Sequence, residues 1–461
     1  MYRIHNPIIK IFFVLIFELS IQCIPKFRES YAVHDFILDL LEKNNPNNYY
    51  ISNDDNSNNY IYGIPDLTFN NTGYKTLNIN NLDDQGRSLV LQSDGKILLG
   101  GYCKNGSGFF DSCIARFNSD GSIDNSFNST GYTTFDIGAN SSNDIINSII
   151  VDINGKILIG GACPSPTRFC LARFDQNGVI DSSFNGSGYH ILDLLGSSSD
   201  VGNQIILDSN SKILMVGNCY FSSNIFCIAR FNNDGTFDNT FGSPNGYITY
   251  DITGTSTKEY AYTIGLQSNG KIVIGGACAD SSNYNRFCVA RFETNGDIDT
   301  TFDSTGYTIL DIPGSDNEIG FSLRILNDDK ILLGGTCQGK FCVARFNANG
   351  GVDTSFGTSG YMVFPLSTLD NGRSMKVRSD GKIVIGGFCQ MGGSNQHCLL
   401  QLDNNGNIDT TFGTSNGFTI FDIPISTDDR TYSLEIQPDG KTILGGYCSV
   451  GTNQFCLSRY Q

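Results

Sequence analysis

The chain has no tryptophan, only four histidines and five methionines, and charged residues make up just 16% of it. Each shortage closes something off. Without tryptophan the commonest sugar-stacking platform is missing, although 21 tyrosines can take that role. The histidines, at positions 5, 34, 190 and 397, are too few for zinc centres built on Cys/His sets. His190 and His397 occupy different places in the pattern described below, and neither has an activated serine or cysteine beside it, so no catalytic triad is supported. Cations are short too. Lys and Arg number 30 against 46 Asp and Glu, a net charge of −16. A surface so acidic repels phosphate backbones, which excludes nucleic acid as the expected partner.

Long apolar runs are confined to the N-terminus. Residues 8–21, around the run from Ile11 to Phe17, follow a short basic start and precede Cys23-Ile24-Pro25. This reads as a secretory signal peptide over residues 1–23. The stretch is interrupted by Lys10 and Glu18 and is short for a membrane span, which disfavours the alternative of an uncleaved anchor. Ser20-Ile21-Gln22 lacks the small residue that lipidation at Cys23 requires. Residues 24–65 are rich in asparagine, as in 44–48 and 53–59, and cannot bury a core. They are expected to be a largely disordered linker, with one short amphipathic helix over 34–42.

What is abundant is glycine (52), phenylalanine (32) and cysteine (15), a composition suited to short strands and tight turns. From residue 66 onward one unit repeats seven times, starting near Asp66, Asp124, Asp181, Asp238, Asp299, Asp353 and Asp409. In the second copy four strand-like runs cover 131–137, 147–152, 156–163 and 169–174. The second and third are joined by turn chemistry: Asp94-Gly95, Asn154-Gly155, Asn269-Gly270, Asp380-Gly381 and Asp439-Gly440 mark tight hairpins. Seven such units close into a ring without exposed sheet edges. The expected fold is therefore all-β: a seven-bladed β-propeller over 66–461, four antiparallel strands per blade. The strand near residues 73–79 is free to complete the last blade, since the chain ends directly after a fourth strand.

The units D-x-[ST]-F-x₃₋₄-G-[YF], DGKI-[LV]-x-GG and ARF-x₃-G-x-[IVF]-D resemble the delta-60 repeat family of β-propellers. The resemblance spans essentially all of residues 66–461 and implies an extracellular or cell-surface propeller. That family is functionally uncharacterised and brings no catalytic residues with it. This chain departs from the pattern by adding two cysteines to every unit.

Those cysteines fall as neighbours: Cys103-Cys113, Cys163-Cys170, Cys219-Cys227, Cys278-Cys288, Cys337-Cys342, Cys389-Cys398 and Cys448-Cys456. An even set, paired within repeats behind a signal peptide, means one intra-blade disulfide per blade. Direct opposition of Cys103 and Cys113 would set Gly101 against Ala115 and Leu99 against Phe117. The loops enclosed are short, so each bridge contributes roughly 2–3 kcal/mol in the loop-entropy picture.

Two polar constellations recur. Arg116, Arg173, Arg230, Arg291, Arg345 and Arg459 sit on apolar strands and need acidic partners. Asp136, Asp193, Asp251, Asp311 and Asp422 end the first strand of their units, with Asn78 in the first copy. The sixth copy lacks both members, carrying Pro365 and Gln401, which suggests that they pair. The second constellation is an acid just before the second strand: Asp84, Asp144, Asp200, Glu259, Glu318, Asp370 and Asp429. Were that strand innermost, seven acids would encircle a channel mouth and offer Ca²⁺ a set of oxygen ligands. The competing reading is a turn-capping acid inherited with the duplicated unit, which the general behaviour of repeats favours. The turn after ARF, Asn118-Ser119-Asp120-Gly121, is better read as an Asx/Gly turn than as a calcium loop.

No other cofactor is indicated. The disc with variable loops suits a secreted or cell-surface binding module, a monomer whose ligand is a protein or a glycan. An extracellular propeller hydrolase or lyase, with carboxylates as its working groups, and a purely structural envelope or matrix protein are the alternatives. N-linked glycan acceptors occur at Asn70, Asn105, Asn128, Asn140 and Asn185. Calcium titration followed by thermal shift separates the two readings of the acids: a bound ion raises Tm, whereas turn-capping acids give no shift.

Overall fold

A computed structural model describes residues 63–138, 142–163, 167–194, 196–254, 258–413 and 416–461. The signal peptide, the 34–42 helix, nearly all of the linker and Asn140 lie outside the described residues.

Among the described residues, seven four-stranded antiparallel sheets make up the fold, 28 strands in all. In blade 1 the order from the axis outward is Asp84–Leu91, Ile97–Lys104, Phe110–Phe117 and Tyr132–Phe135. The inner strands of blades 2 to 7 begin at Ile145, Ser199, Glu259, Glu318, Asp370 and Asp429. Each blade takes its outer strand from the next sequence repeat, so repeats and blades are offset by one strand. The offset closes the ring: Tyr74–Leu77 forms the outer strand of blade 7, with Tyr74 opposite Ser458 and Leu77 opposite Phe455. Residues 63–65 already belong to this seam, through a bridge from Pro65 to Tyr460 and a bond from Gly63 N–H to the Gln461 carbonyl.

The second and third strands of each blade are buried on both faces, because each blade is sandwiched between two others. Leu98 and Ile114 of blade 1, for example, pack with Ile149, Ile157 and Ile159 of blade 2. The DG and NG turns bring the chain round with positive φ at glycine, +83° at Gly95 and +76° at Gly155.

All seven disulfides form within blades as expected, but in a different register. Cys103 stands opposite Asp111 and Cys113 opposite Gly101, so each bridge runs diagonally, with Cα atoms 5.8 Å apart in blade 1. The glycine leaves space on that face for the bridge. It is also obligatory for a second reason: a Cβ on Gly101 would lie 1.9 Å from the Gln85 carbonyl oxygen of the inner strand.

The repeated arginines do not pair with the acids that end the first strands. They bind the aspartate that opens each repeat. Arg116 Nε donates to Asp124 Oδ2 at 2.7 Å, Arg291 to Asp299 at 2.6 Å and Arg459 to Asp66 at 2.8 Å. The lysine of the DGK turn meets the same carboxylate, as Lys96 does Asp124 at 3.1 Å and Lys271 does Asp299 at 2.8 Å. The guanidinium also reaches a turn carbonyl of the next blade (Arg291 to Ala348 O, 2.6 Å) and lies over the motif phenylalanine, Phe302, at 4.8 Å. That ring in turn packs on Gly350, where a Cβ would come within 2.8 Å. The motifs D-x-[ST]-F, DGK, ARF and the turn glycine are thus parts of one inter-blade junction.

The sixth copy misled because its loss is compensated locally. Gln401 Nε2 donates to Asp409 Oδ2 (2.8 Å), and Arg378 supplies the missing guanidinium, donating to Gln401 Oε1 (2.8 Å) and to the Gly440 carbonyl (2.6 Å). Of the acids once expected in this role, Asp193 and Asp311 meet other arginines, Arg168 at 2.9 Å and Arg286 at 3.3 Å.

Removing the carboxylate from one junction leaves a buried guanidinium unpaired beside a half-buried lysine. Asp299→Ala is therefore expected to destabilise the protein by about 3–5 kcal/mol, whereas Lys271→Met, which leaves the Arg291 pair intact, costs much less. Chemical denaturation of the two variants checks the ranking.

Candidate functional site

The inner strands carry one further regularity. In every blade the register between inner and second strand slips by one residue, between Gly86 and Ser88 in blade 1 and at the matching place in the other six. Such a bulge adds a residue to one strand and re-aims its side chain. The bulged residues are Arg87, Asn147, Asn203, Tyr262, Phe321, Arg373 and Tyr432, and all seven line the central channel.

The residue after each bulge ties the ring together. The Ser88 hydroxyl accepts from Ile149 N–H of the next blade at 3.2 Å, and Ser148, Gln204, Thr263, Ser322 and Ser374 repeat the contact. Ser433 closes the circle on Leu89 N–H at 3.0 Å. These channel hydroxyls are structural acceptors.

The channel encloses about 320 Å³, at the small end of ligand pockets. Its lining carries four cations, Arg87, Arg324, Arg373 and Lys376, against one carboxylate, Glu435. That balance inverts the acidity of the chain as a whole. Glu435 is committed to Lys376, 2.7 Å away. Arg87 donates to Tyr102 Oη and to Gln85 Oε1, at 2.5 and 3.1 Å. Arg373 has rings for neighbours: its guanidinium lies 4.1 Å from the centroid of Phe321, 5.4 Å from Tyr432 and 5.6 Å from Phe388. Tyr432 also carries Arg87 at 4.2 Å. Burial pushes the Arg373 guanidinium down from its usual range, and like charge on Arg87 and Arg430 adds to the effect. The Nε atoms of Arg87 and Arg373 are buried without a hydrogen-bond partner.

The seven repeated acids lie elsewhere. Each sits at the start of its inner strand, buried to within 1% exposure. Where both strands align, each faces the first cysteine of its blade, as Asp84 does Cys103 and Glu318 does Cys337. None lines the channel cavity. In six blades an oxygen of the acid accepts a main-chain N–H from the loop arriving from the outer strand: Ile79 to Asp84 (2.6 Å), Ile137 to Asp144 (2.6 Å), Leu194 to Asp200 (3.3 Å), Ile252 to Glu259 (2.8 Å), Leu366 to Asp370 (2.6 Å) and Ile423 to Asp429 (3.0 Å). In the remaining blade Glu318 binds Arg286 at 3.2 Å. Among the described residues the three-ligand cluster that does converge is His397 with Cys448 and Cys456, and those two sulfurs are bonded to each other.

The two histidines within the propeller are also packing residues. His190 stands edge-on to Phe231 and Phe237, and His397 is fully buried with Nδ1 2.8 Å from Ser458 Oγ. Burial pushes His397 down to about 3. The turn after ARF is an Asx turn, with Ser122 N–H donating to Asp120 Oδ1 at 2.9 Å and Gly121 at φ +87°.

Reasoning from repetition missed the channel set, because attention to what recurs passes over positions that vary. Strand pairing marks the set: two residues before each N–H that bonds across blades lies one variable position per copy, and those positions hold Arg, Asn, Tyr or Phe.

Comparison with known proteins agrees with the fold. The family model described as "Domain of unknown function (DUF5122) beta-propeller" matches residues 92–127, 154–184, 209–241, 267–302, 326–356 and 378–412, six of the seven repeats. It is an uncharacterised propeller repeat family. No curated protein matches the sequence. Solved structures of similar shape include a catalytically inactive virginiamycin B lyase from Staphylococcus aureus with quinupristin, 14% identical with a TM-score of 0.47 over 84% of this chain and 98% of that one. The polysaccharide lyase Uly1 is 11% identical with a TM-score of 0.48, covering 81% and 89%. A protein of unknown function from Dyadobacter fermentans is 11% identical with a TM-score of 0.42, covering 84% and 97%.

The buried acids give the protein an unusual pH dependence. Burial first, with neighbouring acids adding in some blades, raises Asp84, Asp144, Glu259, Glu318 and Asp429 to about 7. Between about pH 4 and 7 the folded chain then holds protons that the unfolded chain has released, so stability falls as pH rises through that window. The junction aspartates act in the opposite sense. Burial opposes ionisation of Asp66, but Lys441, Thr68 and Arg459 outweigh it and hold its carboxyl down to about 2, so this contribution is lost only below about pH 4. Tm is expected to be higher at pH 5 than at pH 8. Asp429→Asn should raise Tm at pH 8 and leave it nearly unchanged at pH 5; an equal change at both values would contradict the assignment.

Proposed function

We propose that this protein is a secreted or cell-surface binding module that meets its protein or glycan ligand at the central channel and the loops around its mouth. Its seven disulfides support an oxidising destination. The bridges pin the hairpins between second and third strands, on the side of the ring where the inner strands begin. Exposed Phe109, Tyr220, Phe221, Tyr284 and Met391 lie in or beside those hairpins, a set of apolar side chains on a rigid support.

One observation carries the reading. The contacts that hold the ring together recur from blade to blade, with one compensated change at Gln401, whereas the seven bulged side chains that line the channel vary between Arg, Asn, Tyr and Phe. A scaffold needs no such departure from symmetry; a recognition site does. The channel's one carboxylate is bound to Lys376 and its serine hydroxyls accept main-chain N–H groups, which supports binding over hydrolysis or elimination by a carboxylate or serine.

Immobilised full-length secreted protein is expected to retain ligand from a glycan array or an extracellular protein fraction. Tyr262→Ala combined with Tyr432→Ala should abolish capture without changing the mass-mapped disulfides. Capture that is absent, or indifferent to the double substitution, overturns the proposal.

A further inference from the structure

Resting on the binding reading above, the geometry points to the kind of group the channel takes: we infer that Arg373 and Arg87, with the rings around them, form a site for the carboxylate of an acidic sugar.

Four observations lead there. The two arginines occupy the bulges of blades 6 and 1, on either side of Tyr432, the bulged residue of blade 7. Each guanidinium lies against the Tyr432 ring, at 4.2 Å for Arg87 and 5.4 Å for Arg373. Two cations are thus gathered round one phenol. Such an arrangement is repulsive until an anion joins it.

Second, Arg373 has no carboxylate or hydrogen-bond partner among the described residues. Its contacts are the rings of Phe321, Phe388 and Tyr432. At the six motif arginines the fold supplies an aspartate or an equivalent to every guanidinium, so this chain readily makes ion pairs where structure needs them. Here it supplies none. A guanidinium stacked on rings keeps its N–H edge for a planar or tetrahedral oxyanion.

Third, Arg430 stands nearby with its charge already taken by Asp428 at 3.0 Å, while its guanidinium lies 5.4 Å from Phe388 and 5.9 Å from Tyr447. The channel's surplus charge therefore lies on Arg324, which donates to the Leu323 carbonyl at 2.7 Å, and on Arg373 and Arg87, the two gathered round Tyr432. Fourth, the site has flat apolar walls. Tyr432 stacks with Tyr447 at 6.0 Å, and Tyr260 with Tyr262 at 5.9 Å, while Asn147 and Asn203, whose Nδ2 groups donate to the Gly202 and Ala261 carbonyls at 2.9 and 2.8 Å, keep their Oδ1 atoms to accept from a hydroxyl. Rings for C–H faces, amides for hydroxyls and paired guanidiniums for the anion suit a sugar better than an acidic peptide. The 320 Å³ cavity suits one such residue at a chain end.

The test is titration of the full secreted protein with sodium glucuronate, sodium sulfate, glucose and a glutamate-rich peptide, read by calorimetry and thermal shift at low salt. Glucuronate should bind and raise Tm, glucose should not, and added NaCl should weaken binding. Arg373→Met should reduce glucuronate affinity by about tenfold or more, the loss of one charge-assisted bidentate contact, with Arg373→Lys recovering part of it. Should Arg373→Met fail to fold, Arg87→Met gives the same comparison. Unchanged affinity in the variant overturns the site. Sulfate binding as tightly as glucuronate marks a site for free inorganic anions, and tighter binding of the peptide marks a protein ligand; either overturns the sugar assignment. Array or pull-down capture that persists without glucuronate binding removes only this inference. Glucuronate binding without any capture removes the recognition role and leaves the site standing.

Discussion

One extra residue in each inner strand governs both the stability of this ring and its individuality. The bulge turns one side chain into the channel and leaves the main-chain N–H two residues further on directed at the adjacent blade, where a hydroxyl or amide oxygen accepts it. Seven such contacts run round the axis and return to the first blade. A buried N–H left without its acceptor costs on the order of 1–3 kcal/mol, so the acceptor position tolerates little beyond Ser, Thr and Gln. The bulged side chain lines the channel and meets different partners from blade to blade: the Gly202 carbonyl for Asn147, Tyr102 and Gln85 for Arg87, and three rings for Arg373. Structure is conserved within the ring at one residue, and variety is permitted at the next.

The periphery is held by a second kind of junction, and the two divide the work. Near the axis, where the inner strands converge, neutral hydrogen bonds from one blade's main chain to the next blade's hydroxyl or amide oxygen make the junction. Further out, blades diverge, and the gap is bridged by arginine, lysine, aspartate and phenylalanine acting together. Blade 6 shows that the geometry matters more than the residue: a guanidinium arriving from Arg378 serves in place of the motif arginine. Disulfides complete the set by pinning hairpins that would otherwise present their loops on a mobile support.

The seven acids illustrate how repetition is read two ways. Their recurrence invited a ring of ligands. The structure buries them beneath the loops that cross from outer to inner strand, with a carboxylate oxygen on a main-chain N–H in six blades. Four of them keep a second oxygen without a partner, in Asp84, Asp144, Asp200 and Asp429, which is why burial favours the protonated form there.

Repeat number, strand count, hairpin turns, the cysteine partners and the closing role of the first strand were all legible in the amino-acid order, because each depends on local periodicity or on neighbours along the chain. What depended on register was not. A two-residue difference in pairing turned opposed cysteines into diagonal ones, and the arginine partners could not be chosen between two aspartates equally regular in sequence. Blade 6 made the wrong choice look right by substituting both positions at once. The channel set was hidden for a different reason: no one residue type is common to its seven members, and only the bulges, a property of strand pairing, bring Arg87, Arg373 and Tyr432 to one place. Order along the chain determined that a disulfide-bridged seven-bladed ring would form. Which side chains that ring turns inward was decided by tertiary structure, since the slip of one residue against a neighbouring strand is set by packing across the sheet and leaves no mark in the repeat itself.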